Sequence, residues 1–209
     1  MNRYKLYIID FDGTLIDSYE GLPIFYRHAF GKLGYDVSDE EAYYFAKISL
    51  QQAFKEKINK PELEEEFSNA CYEIVNTGVL LPHNKLYNDA EHFIKFIKDN
   101  SLDCTLVTGN AHVHVNMVLN NLKINDFLKL IITSEDLKNQ KPDPEGILLA
   151  LDKLHYQGDK KEVCYIGDSI NDYLAAKNAG VTPILVDRFN EYSHIEDAIL
   201  IHSLDELFS

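Results

Sequence analysis

Four short stretches of this sequence carry groups that could handle a phosphate ester. The first is Asp10-Phe11-Asp12-Gly13-Thr14-Leu15, which follows an apolar run. In an extended chain, positions two apart share a side, so Asp10 and Asp12 face one space while Phe11 turns away. Gly13 lets the chain turn sharply after them. Two carboxylates this close repel unless a cation or a shared proton lies between them. A carboxylate is a competent nucleophile, and a second one can pass a proton. Alone, the motif also fits a solvated acidic turn. The second stretch, Thr108-Gly109-Asn110, sets a hydroxyl before backbone amides at a helix start, which is a phosphate cradle or an ordinary turn. The third, Lys141-Pro142-Asp143-Pro144, gives a helix its N-cap aspartate and first-turn proline. Pro142 holds Lys141 extended. Capping does not explain Lys141, which could receive an anion or stand at the surface. The fourth is Gly167-Asp168-Ser169-Ile170-Asn171-Asp172. Asp168 closes a strand, and Asp172 can reach back from the first helical turn, where an acid also suits the helix dipole.

These stretches need a scaffold, and the apolar patterning supplies one. Strand-like runs cover 4–10, 102–108, 128–133, 162–168 and 182–187, with a weaker one near 198–202. Helical patterns lie at about 84–99, 111–123, 144–157 and 169–179. This alternation predicts an α/β fold with a doubly wound, mostly parallel sheet, a Rossmann-like core. Ligands in such sheets sit at the carboxyl ends of the strands, which is where the polar groups fall. Residues 16–80 break the rhythm, with three helical stretches and no convincing strand. One runs from Pro23 to Gly34. One opens with a capping box, Ser38 to Glu41, with Asp39 and Glu40 in its first turn. One starts at Pro61 and ends at Gly78. A crossover normally needs about a dozen residues or more. The excess is read as an inserted α-helical cap, with 1–15 and 82–209 as the catalytic core and 16–81 as the cap.

Composition narrows the function classes. The chain has 209 residues and a hydrophobic fraction of 45%, which excludes a largely disordered protein. Acidic residues outnumber basic ones by 34 to 20, giving a formal charge of −14. That balance argues against nucleic acid or an anionic membrane as partner. A phosphate site must then be locally positive, most simply through a bound cation. No apolar run approaches bilayer length, and the stretch Leu6 to Ile9 is too short for a signal-peptide core. Cys71, Cys104 and Cys164 are far apart and form no paired motif. Buried, reduced thiols in a cytoplasmic protein are the expectation.

Taken together and in order, the four stretches resemble the signature motifs of the haloacid dehalogenase superfamily. Asp10 to Leu15 looks like the first motif, Thr108 the second, Lys141 the third, and Gly167-Asp168 with Asp172 the fourth. The resemblance covers the whole chain, including a helical cap between the first two motifs. It is closest to the phosphoglycolate-phosphatase-like branch, on Gly-Thr-Leu-Ile-Asp-Ser at 13–18 and Gly-Asp-Ser-Ile-Asn-Asp at 167–172. It implies that the strand of the fourth motif lies beside the first. It implies a phosphatase that passes through an aspartyl-phosphate on Asp10, with Asp12 as acid and base. Mg²⁺ would be held by Asp10, Asp168 and the backbone carbonyl of Asp12, with Asp172 acting from behind or through water. Thr108, Gly109 and Lys141 would hold the phosphoryl oxygens. The substrate would be a small phosphorylated metabolite, a phosphoglycolate-like monoester or pyrophosphate, and the protein a monomer or homodimer. A sugar phosphomutase of the same superfamily also has an acid at the Asp12 position. A non-catalytic protein on the same fold would usually lack part of the set, which is intact here. One departure is that relatives often have Pro-Gly where the chain re-enters the core, whereas Pro82 is followed by His83-Asn84.

Other polar and aromatic groups receive plainer readings. His112 and His114 are two apart on a helix and face different ways, so they suit solvent or core rather than one metal. His83 is read as a surface residue. Tyr43, Tyr44 and Phe45 suit a helical core. Arg27, His28 and Lys47 could reach a substrate from the cap, and nothing in the sequence selects among them.

Overall fold

A computed structural model describes residues 4–193, 195 and 198–208. Its strands are β1 Leu6–Ile9, β2 Ile16–Asp17, β3 Lys85–Leu86, β4 Asp103–Val107, β5 Leu130–Ile132, β6 Val163–Gly167, β7 Thr182–Val186 and β8 Ile199–Ile201. Its helices are α1 Leu22–Gly31, α2 Asp39–Phe45, α3 Leu50–Lys57, α4 Glu64–Asn76, α5 Asn88–Asp99, α6 His112–Leu122, α7 Glu145–Lys153 and α8 Ile170–Ala179. Six strands form one sheet in the order β5-β4-β1-β6-β7-β8, every pair parallel. β1 lies between β4 and β6, with Ile8 level with Thr105 and Tyr165.

The apolar runs become strands because helices cover both faces, leaving no room for a polar side. All four residues of β1 are buried. Alternate side chains go to opposite faces. Tyr7 and Ile9 pack with Phe93 and Ile97 of α5 and with Val115 and Leu119 of α6. Leu6 and Ile8 pack with Ile147 of α7 and Ala175 of α8.

Helices α1 to α4 bury a separate core. Phe30 is its centre, with ring centroids 4.7 Å from Phe67 and 5.4 Å from Phe45. The Ser38–Glu41 capping box forms as expected. The sequence reading of three helices is corrected to four. The chain leaves the helix after Phe45, and Ser49 caps a new one by accepting from the Gln52 N–H at 3.2 Å. Pro61 starts a short 3₁₀ turn, Pro61–Leu63, ahead of α4.

The expectation of no strand in 16–80 also needs correction. β2 pairs antiparallel with β3, Ile16 opposite Leu86 and Asp17 opposite Lys85. The Tyr87 N–H donates to the Leu15 carbonyl at 3.1 Å. The two connections between sheet and helical unit therefore run side by side. The Pro82-His83-Asn84 departure has a local account: the Asn84 side-chain amide donates to the Leu80 carbonyl at 2.7 Å.

Candidate active site

Asp10 follows β1 and Asp168 follows the neighbouring β6, so parallel pairing brings their side chains together. The Asp10 N–H donates to the Ile166 carbonyl at 2.8 Å, extending the ladder by one step. Asp10, Asp168 and Asp172 each offer a carboxylate oxygen, all within 4.8 Å of one another. Gly13 has φ +72°, and a Cβ there would collide with the Asp168 carboxylate. Only glycine takes this backbone at little cost and also leaves that space. The Thr14 hydroxyl donates to Asp168 Oδ1 at 3.1 Å.

Lys141 is the cation of this floor. Its Nζ lies 2.8 Å from Asp10 Oδ1 and 2.5 Å from Asp172 Oδ1. Several bonds fix its segment. The Glu145 carboxylate accepts from the Lys138 and Asn139 N–H groups, and the Asn178 amide donates to the Pro142 carbonyl. Asp172 is fully engaged from within the protein. Its Oδ2 accepts from the Ser169 N–H at 3.0 Å and the Ser169 hydroxyl at 2.6 Å. Its Oδ1 lies 3.2 Å from the Tyr165 hydroxyl as well as beside Lys141. Asp172 thus closes the capping box of α8 and anchors the lysine at once.

Burial pushes the Asp10 carboxyl up, to about 7, against the pull of Lys141, and Asp172 adds to the rise. Asp168 is raised well above the carboxylate range by burial, then by Asp172 and Asp10. Burial would lower Lys141, but Asp10 and Asp172 outweigh it and hold the ammonium charged. Three acids share one lysine, so the floor is short of positive charge, and a divalent cation is the group that would relieve it. Asp10 and Asp168 fit such an ion, since each keeps oxygen capacity. Asp172 fits it less directly, because protein donors take both its oxygens.

Asp12 lies outside this carboxylate group. The Asn110 side-chain amide donates to Asp12 Oδ2, while Asp12 Oδ1 is buried without a hydrogen-bond partner. Thr108 stands at the end of β4, its N–H bonded to the Ile132 carbonyl at 3.0 Å and its hydroxyl accepting from the Asn110 N–H at 3.2 Å. Asp10, Asp12, Thr108, Gly109, Lys141 and Asp168 all line one cleft beneath the helical unit. His112 is exposed, whereas His114 is buried and meets Phe11 edge-on at 6.4 Å. Burial lowers the His114 pKa, although Asp12 opposes this.

Sequence reading placed Thr14 and Asn110 inside motifs without giving their side chains a role, and it missed Tyr165 and Arg188. Arg188 donates to the Gly13 carbonyl at 3.1 Å and the Thr14 carbonyl at 2.9 Å, and it forks onto Asp89 at 2.8 and 3.1 Å. Its guanidinium lies 3.8 Å from the Tyr87 ring centroid. The one available signal was an arginine just past a strand end, on the face where the site residues gather.

Residues 7–186 match the family described as Haloacid dehalogenase-like hydrolase. A phosphoglycolate phosphatase of Vibrio cholerae is 30% identical over 191 residues, covering 86% of this chain and 83% of that one. The pyrophosphatase PpaX of Bacillus velezensis is 30% identical over 182 residues, covering 85% and 81%. Among solved structures, a haloacid dehalogenase-like hydrolase from Bacteroides fragilis has a TM-score of 0.87 at 26% identity, over 98% of this chain and 99% of that one. With the match running from β1 to β7, and a solved relative sharing the fold end to end, this chain belongs to the haloacid dehalogenase-like hydrolases.

Proposed function

We propose that this hydrolase is a Mg²⁺-dependent phosphatase that acts on a small phosphate monoester through an aspartyl-phosphate on Asp10. The observation that carries the reading is the floor itself, where Asp10 is paired with Lys141 beside Asp168, while Asp12 stands apart with one carboxylate oxygen unpartnered. Lys141 opposes the burial that raises Asp10 and so favours the ionised form, which attacks phosphorus in line as the ester oxygen departs. The Thr108 hydroxyl, the Gly109 amide and Lys141 hold the other phosphoryl oxygens. Asp12 gives its proton to the departing alkoxide, then takes one from the water that cleaves the intermediate. Asn110 holds one Asp12 oxygen and leaves the other for that traffic. Mg²⁺ on Asp10, Asp168 and the Asp12 carbonyl would neutralise charge shared by nucleophile and phosphate.

In this reading 16–81 is a cap that shields the chemistry from water, and 1–15 with 82–209 is the core. Cys71, Cys104 and Cys164 are buried and in no disulfide among the described residues, which suits a cytoplasmic protein. Among the described residues, no helix is long and apolar enough to cross a membrane. The net charge of −14 disfavours nucleic acid as a partner, and the site needs no second subunit, so a monomer or homodimer suffices. The names of the relatives make phosphoglycolate and pyrophosphate the first substrates to try. The test is phosphate release from 4-nitrophenyl phosphate and a panel of phosphorylated metabolites. Turnover should need Mg²⁺, vanish in chelator and vanish in Asp10→Asn. Free phosphate, rather than an isomerised sugar phosphate, separates hydrolysis from a mutase reaction. Full activity in chelator would overturn the metal assignment.

A further inference from the structure

Above the carboxylate floor the cleft opens to about 550 Å³, within the range that encloses a drug-sized ligand. Its far wall comes from the helical unit. Leu22 and Phe25 of α1, Ile48 and Leu50 at the turn into α3, and Tyr72 and Val75 of α4 line it. None of these six is fully buried, and Leu50 and Tyr72 keep 41% and 44% of their surface accessible. Large apolar side chains left uncovered along one concave wall mark a place where a ligand buries carbon.

The charges on that wall point the same way. Among the described residues lining the cleft, Lys47 is the one cation from the helical unit. Its Nζ is already 2.6 and 2.8 Å from the two carboxylate oxygens of Glu191. Glu64 adds an acid to the same wall. Lys141, across the floor, is held by Asp10 and Asp172. A carboxylate or second phosphoryl group on the leaving side therefore meets no open cation. It would share Lys47 with Glu191, in a pair left 45% and 39% exposed, and sit near Glu64, so the wall offers no unpaired positive charge to favour it.

We infer that the substrate is a phosphate monoester of an apolar alcohol that carries no charge beyond the phosphoryl group, and that phosphoglycolate and pyrophosphate are turned over poorly. This rests on the phosphatase reading above. The phosphoryl group passes to Asp10, the alkoxide leaves as a neutral alcohol with the Asp12 proton, and water supplies the fourth oxygen of the released phosphate.

The experiment compares kcat/KM, with Mg²⁺, for n-alkyl phosphates from ethyl to octyl, for phosphoglycolate, for pyrophosphate and for 4-nitrophenyl phosphate. Each added methylene should raise kcat/KM about fourfold until the wall is covered, placing hexyl phosphate on the order of 100-fold above phosphoglycolate. Leu50→Asn with Tyr72→Asn should flatten that slope, and both sites are exposed enough for the fold to survive, which a thermal melt verifies. Lys47→Met should preserve the alkyl ranking. A flat series, phosphoglycolate or pyrophosphate outrunning the alkyl esters, or a loss in Lys47→Met confined to phosphoglycolate would each overturn the inference and leave the phosphatase standing. No turnover of any ester, 4-nitrophenyl phosphate included, would remove both.

Discussion

Asp10 and Asp12 leave the same strand on the same side, yet their surroundings differ. Asp10 touches Lys141, and Asp12 touches Asn110 and keeps an oxygen free. Under the proposed mechanism the two substitutions therefore fail in different ways. Asp10→Asn removes the nucleophile, so neither burst nor turnover is expected. Asp12→Asn keeps the nucleophile and loses the proton carrier. A nitrophenolate leaves without a proton, but the second step still lacks a base to activate water. Asp12→Asn with 4-nitrophenyl phosphate should give a burst of up to about one nitrophenolate per active site, then turnover reduced by about 10²–10⁴. Parent rates on both alkyl and aryl esters would reassign the acid–base role. At this scale Asp10, Asp12, Thr108, Lys141 and Asp168 were legible because each ends a strand or precedes a helix in a recognisable motif. The roles of Thr14, Asn110, Tyr165 and Arg188 were not, because they come from partners brought near only by folding. Arg188 reaches Gly13 from 175 residues away.

The loop after β1 is held as an element, and Arg188 is the clamp. It bonds two successive carbonyls of that loop, at Gly13 and Thr14, and its charge is matched by buried Asp89, which also accepts from the Leu204 N–H at 2.8 Å. Arg188→Met strands the Asp89 charge, so thermal or denaturant unfolding should show a loss of about 3–5 kcal/mol. Arg188→Lys should recover only part of this, since lysine lacks the fork that spans carbonyl and carboxylate together. Equal stability of Met and wild type would show that the clamp is incidental. The helical unit depends on a different element, its aromatic core. Phe30→Ala should cost about 3–5 kcal/mol in a helix-monitored melt; a cost under about 1 kcal/mol would mean that the core collapses around the gap. The long elements could be read from the sequence because buried parallel strands are continuously apolar and capping boxes are local. β2 and β3 could not, since a two-residue ladder leaves no period to detect. The break between α2 and α3 carried only the Ser49 cap as a sign.

Across the whole molecule, an acidic chain concentrates three carboxylates around one lysine and hides them under a helical unit. Burial raises both Asp10 and Asp168, so in chelator the folded state binds protons that the unfolded chain has already released. Bound protons then outnumber those of the unfolded state between the ordinary carboxylate value, about 4, and the raised value of about 7 for Asp10. In that window the slope of stability against pH is negative: the chelated protein should be most stable at the acid end and lose stability as pH rises. General self-repulsion of the −14 chain acts in the same direction, so the comparison needs Asp168→Asn, which removes the Asp168 share of the local part and should make the curve shallower while the Asp10 share remains. Under the proposed metal site Mg²⁺ should reverse the trend, because it would bind the deprotonated site of the folded state and not the unfolded chain. Added Mg²⁺ should raise the Tm by several degrees at about pH 8 and by much less at about pH 5, where it competes with the proton. The measurement is a pair of melting series across that range, with chelator and with excess Mg²⁺. Stability of the chelated protein that climbs towards pH 8, or a Mg²⁺ increment no larger there than at pH 5, would mean that proton and metal do not exchange at Asp10 and Asp168.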